Sequence, residues 1–340
     1  MAAPVDPVRA IADAVLYEGY VLWPYRRSAL KNQKRWTFGG VYPRAHSEGR
    51  EDDPWSMQTQ CLLEASADTR VEVSVRFLHV VERQVARVTP GGGLEALDEL
   101  TVAGERHLSW SEATEREIAV RPLSLEELTG GYTAAIEVAA ASREEPLADE
   151  AGERLGVLVR SWKELRGAVE IAAQELRSRL WRVGVRIVNT TPFEGGSREQ
   201  ALERTFCSTH TVLHASPGAF VSQTDPPDAL RELAEACTND NTWPVLVGDP
   251  DDRSTVLSSP IILEDHPRIA PESPGDLFDG GEIDQMLVLN ILSLTDEEKA
   301  EMRDSDPRTR EILERTEALT PEQLLNLHGA VREFGMARER

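Results

Sequence analysis

The residues best suited to chemistry in this chain are Cys207, His210 and His214 in "TFCSTHTVLH", with the more distant Cys237. Thiolate and imidazole are the usual ligands of zinc and other transition metals, so this set could hold Zn, Ni or Fe. It would then serve a metal-dependent hydrolase or a metal-delivery protein. The spacing argues against it. If the segment is a strand, alternation puts His210 and His214 on one face and Cys207 on the other, while Cys237 falls on a helix. A buried thiol and two hydrogen-bonded histidines account for the same residues without a metal, and nothing in the sequence requires a cofactor.

Other constellations are weaker. "SPGDLFDGGEID" gathers Asp276, Asp279, Glu282 and Asp284, oxygen donors that could collect a divalent cation, but it departs from the calcium-loop pattern and reads as a solvated acidic turn. "PGGGL" at Pro90 lacks the lysine of a phosphate loop. Ser208 beside His210 is not framed as a nucleophile elbow. Carboxylates are too numerous for one pair to stand out as acid and base. No residue is assigned a catalytic role.

A binding signature is clearer. "WPYRRSALKNQKRWTFGGVYP", Trp23 to Pro43, carries five cationic side chains between Arg26 and Arg35, flanked by aromatic rings. On a helix Arg27, Lys31 and Arg35 would stack at i, i+4 spacing and repel by a few tenths of a kcal/mol, an arrangement useful opposite anionic groups. The whole chain carries a net charge of -22. The segment therefore lies along the protein's own acidic face, is simply solvated, or docks a partner. In the docking case Arg26, Arg27, Lys31, Lys34, Arg35 and Trp36 are the candidate partner-binding residues, Arg and Trp being enriched as interface anchors.

So acidic a chain is not expected to bind nucleic acid, which needs cationic neutralisation of phosphates. It has no run of about 18 apolar residues and no signal-peptide pattern, so membrane insertion is not expected and a cytoplasmic location is. Three widely separated cysteines fit reduced thiols.

The elements that must position these residues can be read from pattern. At 340 residues and 37.7 kDa the chain exceeds the size at which one hydrophobic core usually stops growing, so two core units, or one large β core with an appendage, are expected. Pro7 and the stripe Val8, Ile11, Ala12, Val15 and Leu16 announce a first helix, with Asp6 as its cap. "RVEVSVRFLHVV" alternates through Val71, Val73, Val75 and Phe77, and "REIAV" and "YTAAIEVAA" continue the strand signals. "ASREEPLADEAGERLG" reads as a linker or long excursion. "GAVEIAAQELRSRLWRVGVRIVNTTPF" favours a hairpin over a helix, because Val169, Ile171 and Ala173 alternate, as do Trp181, Val183, Val185 and Ile187. "TFCSTHTVLH", "AFVSQ", "TWPVLVG" and "SPIILE" add short strands, and "DPPDALRELAEAC" a helix. Capping boxes pair Thr295 with Glu298 and Thr320 with Gln323, opening short C-terminal helices striped by Ile312, Leu313, Leu324, Leu325, Leu327 and Val331.

The expected fold is mainly β, of the α+β type: an antiparallel sandwich-like body of many short strands, a short N-terminal helix and a small helical C-terminal tail. The expected division is 1–50 for the N-terminal helix and basic aromatic segment, 51–150 for a first β-rich unit, 151–265 for a second with one helix (Asp225–Cys237), and 266–340 for an extended segment and C-terminal helices.

Several phrases resemble a known family: "YRRSALKNQKRWTFGGVYP", "WSEATEREI", "STHTVLH", "TWPVLVG", "SSPIILEDHPRIAPESPGDLFDGGEIDQ" and "LTDEEKAEMRDSDPRTREILERTE". Together they span most of the chain and are similar to an uncharacterised bacterial family encoded beside high-affinity NiFe hydrogenases and their maturation proteins. The resemblance implies a non-catalytic accessory protein in maturation, assembly or complex formation of such an enzyme. Its partners would be a hydrogenase subunit or other maturation factors. It carries over no ligand or catalytic residue. Besides the metal-dependent alternative, a β-sandwich ligand-binding module remains a further expectation.

Overall fold

The computed structural model describes residues 7–17, 38–268, 284–305 and 307–320. In chain order the elements are α1 (Pro7–Tyr17), α2 (Arg44–Ser47), β1 (Ser56–Glu64), β2 (Arg70–Val88), β3 (Leu94–Leu97), β4 (Glu99–Val102), β5 (Glu105–Leu108), β6 (Trp110–Ser124) and α3 (Leu125–Leu128). There follow β7 (Tyr132–Val138), β8 (Ala141–Ala148), β9 (Arg154–Trp162), β10 (Leu165–Arg177), β11 (Leu180–Asn189), α4 (Arg198–Leu202), β12 (Cys207–Ser216) and β13 (Ala219–Phe220). Last come α5 (Arg231–Glu235), β14 (Trp243–Leu246), β15 (Thr255–Ser259), α6 (Asp284–Leu292), α7 (Asp296–Ser305) and α8 (Pro307–Glu317). The β-rich α+β class expected from pattern is the one observed.

Two antiparallel sheets face each other. One runs β13-β1-β11-β10-β7; the other runs β14-β15-β12-β2-β9-β8, with β6 and β3 on the opposite edge of β2. Between them lies the main core, with Val73, Val75 and Phe77 from one sheet against Cys61, Val169, Ile171 and Val185 from the other. The alternating residues are buried because a half-buried strand points every second side chain inward. The long hairpin is present as β10 and β11, closed where Arg177 pairs with Leu180 and Arg179 takes a positive φ of 61°.

Two readings are corrected. The acidic stretch that reads as a linker or long excursion is strand β8 and the turn into β9, paired from Ala141↔Trp162 to Ala148↔Arg154. It is an edge strand whose residues, Leu147 apart, are largely outside the core, so charges and Pro146 cost it little. The strand near "SPIILE" lies earlier, at Thr255–Ser259. Strands from the two sides of residue 150 pair directly, β1 with β11 and β2 with both β9 and β12. Within the helix placed at Asp225–Cys237, a 3-10 turn at Asp228–Leu230 precedes α5.

The chain divides into two compact units. The first is the β body with α1, whose Ala12 and Val15 pack on Val245, Val247 and Leu257. The second contains α6, α7 and α8, with Leu287, Val288, Ile291, Met302, Ile312 and Leu313 buried. The box at Thr295 forms as read: the Glu298 amide donates to Thr295 Oγ1 at 3.2 Å and the Thr295 amide to Glu298 Oε2 at 3.0 Å. The box at Thr320 and the stripe beyond it lie outside the described residues.

Candidate functional site

The bridge between Val41 and Phe206 brings the start of the body beside the segment leading into β12. The turn of α2 then carries His46 inward. Gly40 is required there, since a Cβ at that position would stand 2.6 Å from Cε2 of the Tyr42 ring. Tyr42 stacks on His46 with centroids 5.2 Å apart, and Phe193 meets the imidazole edge-on at 5.9 Å. His46 Nε2 lies 2.9 Å from Asp53 Oδ2, and Arg198 Nε stands 3.5 Å from the same carboxylate oxygen. Arg198 also donates to the Tyr42 hydroxyl. Burial pushes the Tyr42 phenol above its ordinary pKa, partly opposed by Arg198.

Arg198 is placed by a capping box of α4, in which Ser197 accepts from the Gln200 amide and Gln200 reaches back to the Ser197 backbone. Beside this cluster opens a cleft of about 650 Å³ whose lining includes Lys163, Phe193, Gln200, Glu203 and Arg204. Lys163 and Glu203 pair across it at 3.8 Å. Burial raises the Glu203 pKa, and Lys163 opposes the rise.

A histidine oriented by a carboxylate is half of a catalytic triad, but a triad also needs a nucleophile within about 3 Å. Here the imidazole is only 3% exposed and its hydrogen-bonded side-chain partner among the described residues is Asp53. The cluster clamps two distant segments together, residues 42–53 and 193–198, and its Phe193 lines the mixed-charge cleft.

The metal candidates are dispersed. A one-residue bulge separates the pairs Cys207↔Leu78 and His210↔Arg76, with Ser208 at φ 50°. Because paired residues share a face, the bulge turns Cys207 to the same side as His210, which corrects the expectation of opposite faces. Each has its own partner nonetheless. Cys207 Sγ reaches Thr205 O at 3.7 Å, His210 Nδ1 lies 3.3 Å from Ser208 O, and His214 Nδ1 lies 3.0 Å from Thr255 Oγ1. His210 is fully buried, and burial, then Arg76, lowers its pKa to about 4.

Arg76 itself is a buried cation held by Glu115, at 2.6 Å, and by Asp13 of α1. Cys237 packs with Leu62 and Leu180, on the outer side of the five-stranded sheet, so the sandwich stands between it and Cys207. Burial raises its thiol pKa, which disfavours the thiolate a metal needs. Among the described residues no three His, Cys, Asp or Glu side chains are placed to hold a metal ion.

The basic residues Arg26, Arg27, Lys31, Lys34, Arg35 and Trp36 lie outside the described residues, as do Asp276, Asp279 and Glu282, while Asp284 opens α6. Sequence reading missed His46, Asp53 and Arg198. The one local signal was the S-x-x-Q spacing of Ser197 and Gln200, which announces the start of α4 but not what it faces.

A second feature comes from the quoted phrases. The Ser208 amide donates to Phe38 O at 3.2 Å and the Thr209 amide to Gly39 O at 2.9 Å. Gly39 lies against Pro260, and Trp243 pairs with Ser259. Phe38, Trp243 and Ile262 therefore gather at one end of β12, β15 and β14, and they are 47%, 44% and 72% exposed. No family model matches the chain, and no curated protein matches it.

Proposed function

We propose that the protein is a non-catalytic accessory factor in the maturation, assembly or complex formation of a NiFe hydrogenase, working in the cytoplasm by binding a hydrogenase subunit or another maturation factor. The observation that carries this reading is the exposed apolar end formed by Phe38, Trp243 and Ile262, drawn from three of the phrases that resemble the hydrogenase-associated family. Large apolar side chains held in water at the end of a rigid sheet are typical interface anchors. The basic stretch Arg26–Trp36 precedes Phe38 directly in the sequence and supplies the cations of the proposed docking segment.

The test is an affinity pull-down of the full chain from a native host expressing hydrogenase, with bound proteins identified by mass spectrometry. Wild-type protein should recover hydrogenase subunits or maturation factors in stoichiometric amount. The triple variant Phe38→Ser, Trp243→Ser, Ile262→Ser should lose them while keeping its unfolding midpoint, and so should reversal of charge at Arg27, Lys31 and Arg35. Absence of those proteins from the wild-type sample overturns the proposal.

A further inference from the structure

Strand β2 is 19 residues long, and its inner face is lined by the apolar core only as far as Phe77. Beyond that point the inner face continues with His79, which is fully buried. Register places three more residues on this face. Arg116 of β6 is paired with Phe77; Trp162 of β9 stands two residues beyond Arg160, which pairs with Arg83; and Arg143 of β8 is paired with Arg160. Four strands in the order β6, β2, β9, β8 thus set Arg116, His79, Trp162 and Arg143 in a row.

The polar atoms of this row are donors in search of an acceptor. Arg116 Nη2 lies 3.5 Å from His79 Nδ1. A guanidinium can only donate, so Nδ1 is the acceptor and Nε2 carries the proton. Burial and the neighbouring Arg116 support that neutral form, lowering the His79 pKa to about 4. Arg116 Nε is buried without a hydrogen-bond partner, and His79 Nε2 makes no well-formed hydrogen bond, although the nearby Lys163 backbone partly opposes the fall in its pKa. The indole is held by Trp162 Nε1 donating to Ala139 O at 3.1 Å. Over the same ring stand the Arg116 and Arg143 guanidinium carbons, 5.6 and 5.7 Å from its centroid.

Charge sharpens the point. The nearby carboxylates are taken: Glu112 is held by Arg160 at 2.6 Å and Arg83 at 3.6 Å, and Glu145 by Arg160 at 2.8 Å. Neither Arg116 nor Arg143 has an ion-pair partner among the described residues, and burial, then the neighbouring Arg143, lowers the Arg116 pKa. In a chain of net charge -22 two uncompensated arginines on one indole are unexpected. A buried water would meet the orphan donors but not the charge.

We propose that His79, Arg116 and Arg143, arranged around Trp162, form a binding site for an oxyanion, a phosphate or carboxylate group of a small ligand. Neutral His79 supplies an uncharged N–H donor and the two guanidinium groups supply the countercharge. The site stands independently of the accessory role, since it uses no residue of the surface at Phe38, Trp243 and Ile262.

The test is calorimetric titration of the full chain with inorganic phosphate and, separately, with acetate, each against sodium chloride at matched ionic strength. Saturable one-to-one binding of phosphate or acetate, absent for chloride, is the expected result, and the tighter of the two identifies the group. Arg143→Gln and Arg116→Gln should each weaken it about tenfold, the loss of one charge-assisted hydrogen bond. Arg143 is exposed on an edge strand, so its variant serves even if Arg116→Gln fails to fold. Absence of saturable binding for both anions, or affinity unchanged in Arg143→Gln, overturns the proposal.

Discussion

The two halves of β2 present one face of one strand to opposite surroundings. From Val71 to Phe77 that face meets the apolar residues of the five-stranded sheet, and Phe77 packs on Phe206 with centroids 4.8 Å apart. From His79 to Arg83 it meets Arg116, Glu112, Arg160 and Trp162. The first half gains stability from non-directional burial, which tolerates any well-packed apolar residue. The second half pays desolvation on every group and recovers it only through particular partners. A polar inner face that its own partners leave incompletely satisfied is where ligand chemistry has room to act.

The largest effect should come from the apolar half. Phe77→Ala removes a fully buried ring and should cost about 3–5 kcal/mol of unfolding free energy, read by urea denaturation. A loss below about 1 kcal/mol would break the contrast between the halves.

Acid sharpens it from the other side. His79 and His210 both have folded pKa values lowered to about 4 from an ordinary 6.5. The unfolded chain therefore binds protons that the folded chain refuses between those values, so their stabilisation is complete above pH 6.5 and is lost as pH falls towards 4. Each should remove about 2–3 kcal/mol by pH 4.5. His79→Asn should flatten the pH dependence by one such share, and a slope identical to wild type would show that His79 is not held neutral. The smallest effect is expected at Glu112, whose carboxylate joins Arg83 to Arg160. Because Arg160 is a third exposed and partly screened, Glu112→Gln should cost only about 1–2 kcal/mol in the same denaturation assay.

Much of the body was legible because strand alternation is a local property. Val71, Val73, Val75 and Phe77 mark a buried face in any register, and Val169, Ile171 and Ala173 with Trp181, Val183 and Val185 mark a hairpin. The acidic stretch at residues 141–148 was not, since an edge strand exposing charge along most of its length carries no apolar period. The candidate site was less legible still. His46, Asp53 and Arg198 meet only because the Val41 to Phe206 bridge joins distant parts of the chain.

By itself, then, the sequence determined the β-rich class, the apolar faces, the first helix and the capped helix at Thr295, all set by side-chain periodicity and turn chemistry within a few residues. Tertiary structure alone decided that a bulge at Ser208 turns Cys207 to the side of His210, that Cys237 lies across the sandwich from both, and that His79 stands between Arg116 and Trp162. Such meetings depend on strand register and sheet order, which are settled by the summed packing of the whole body and leave no local trace in the chain.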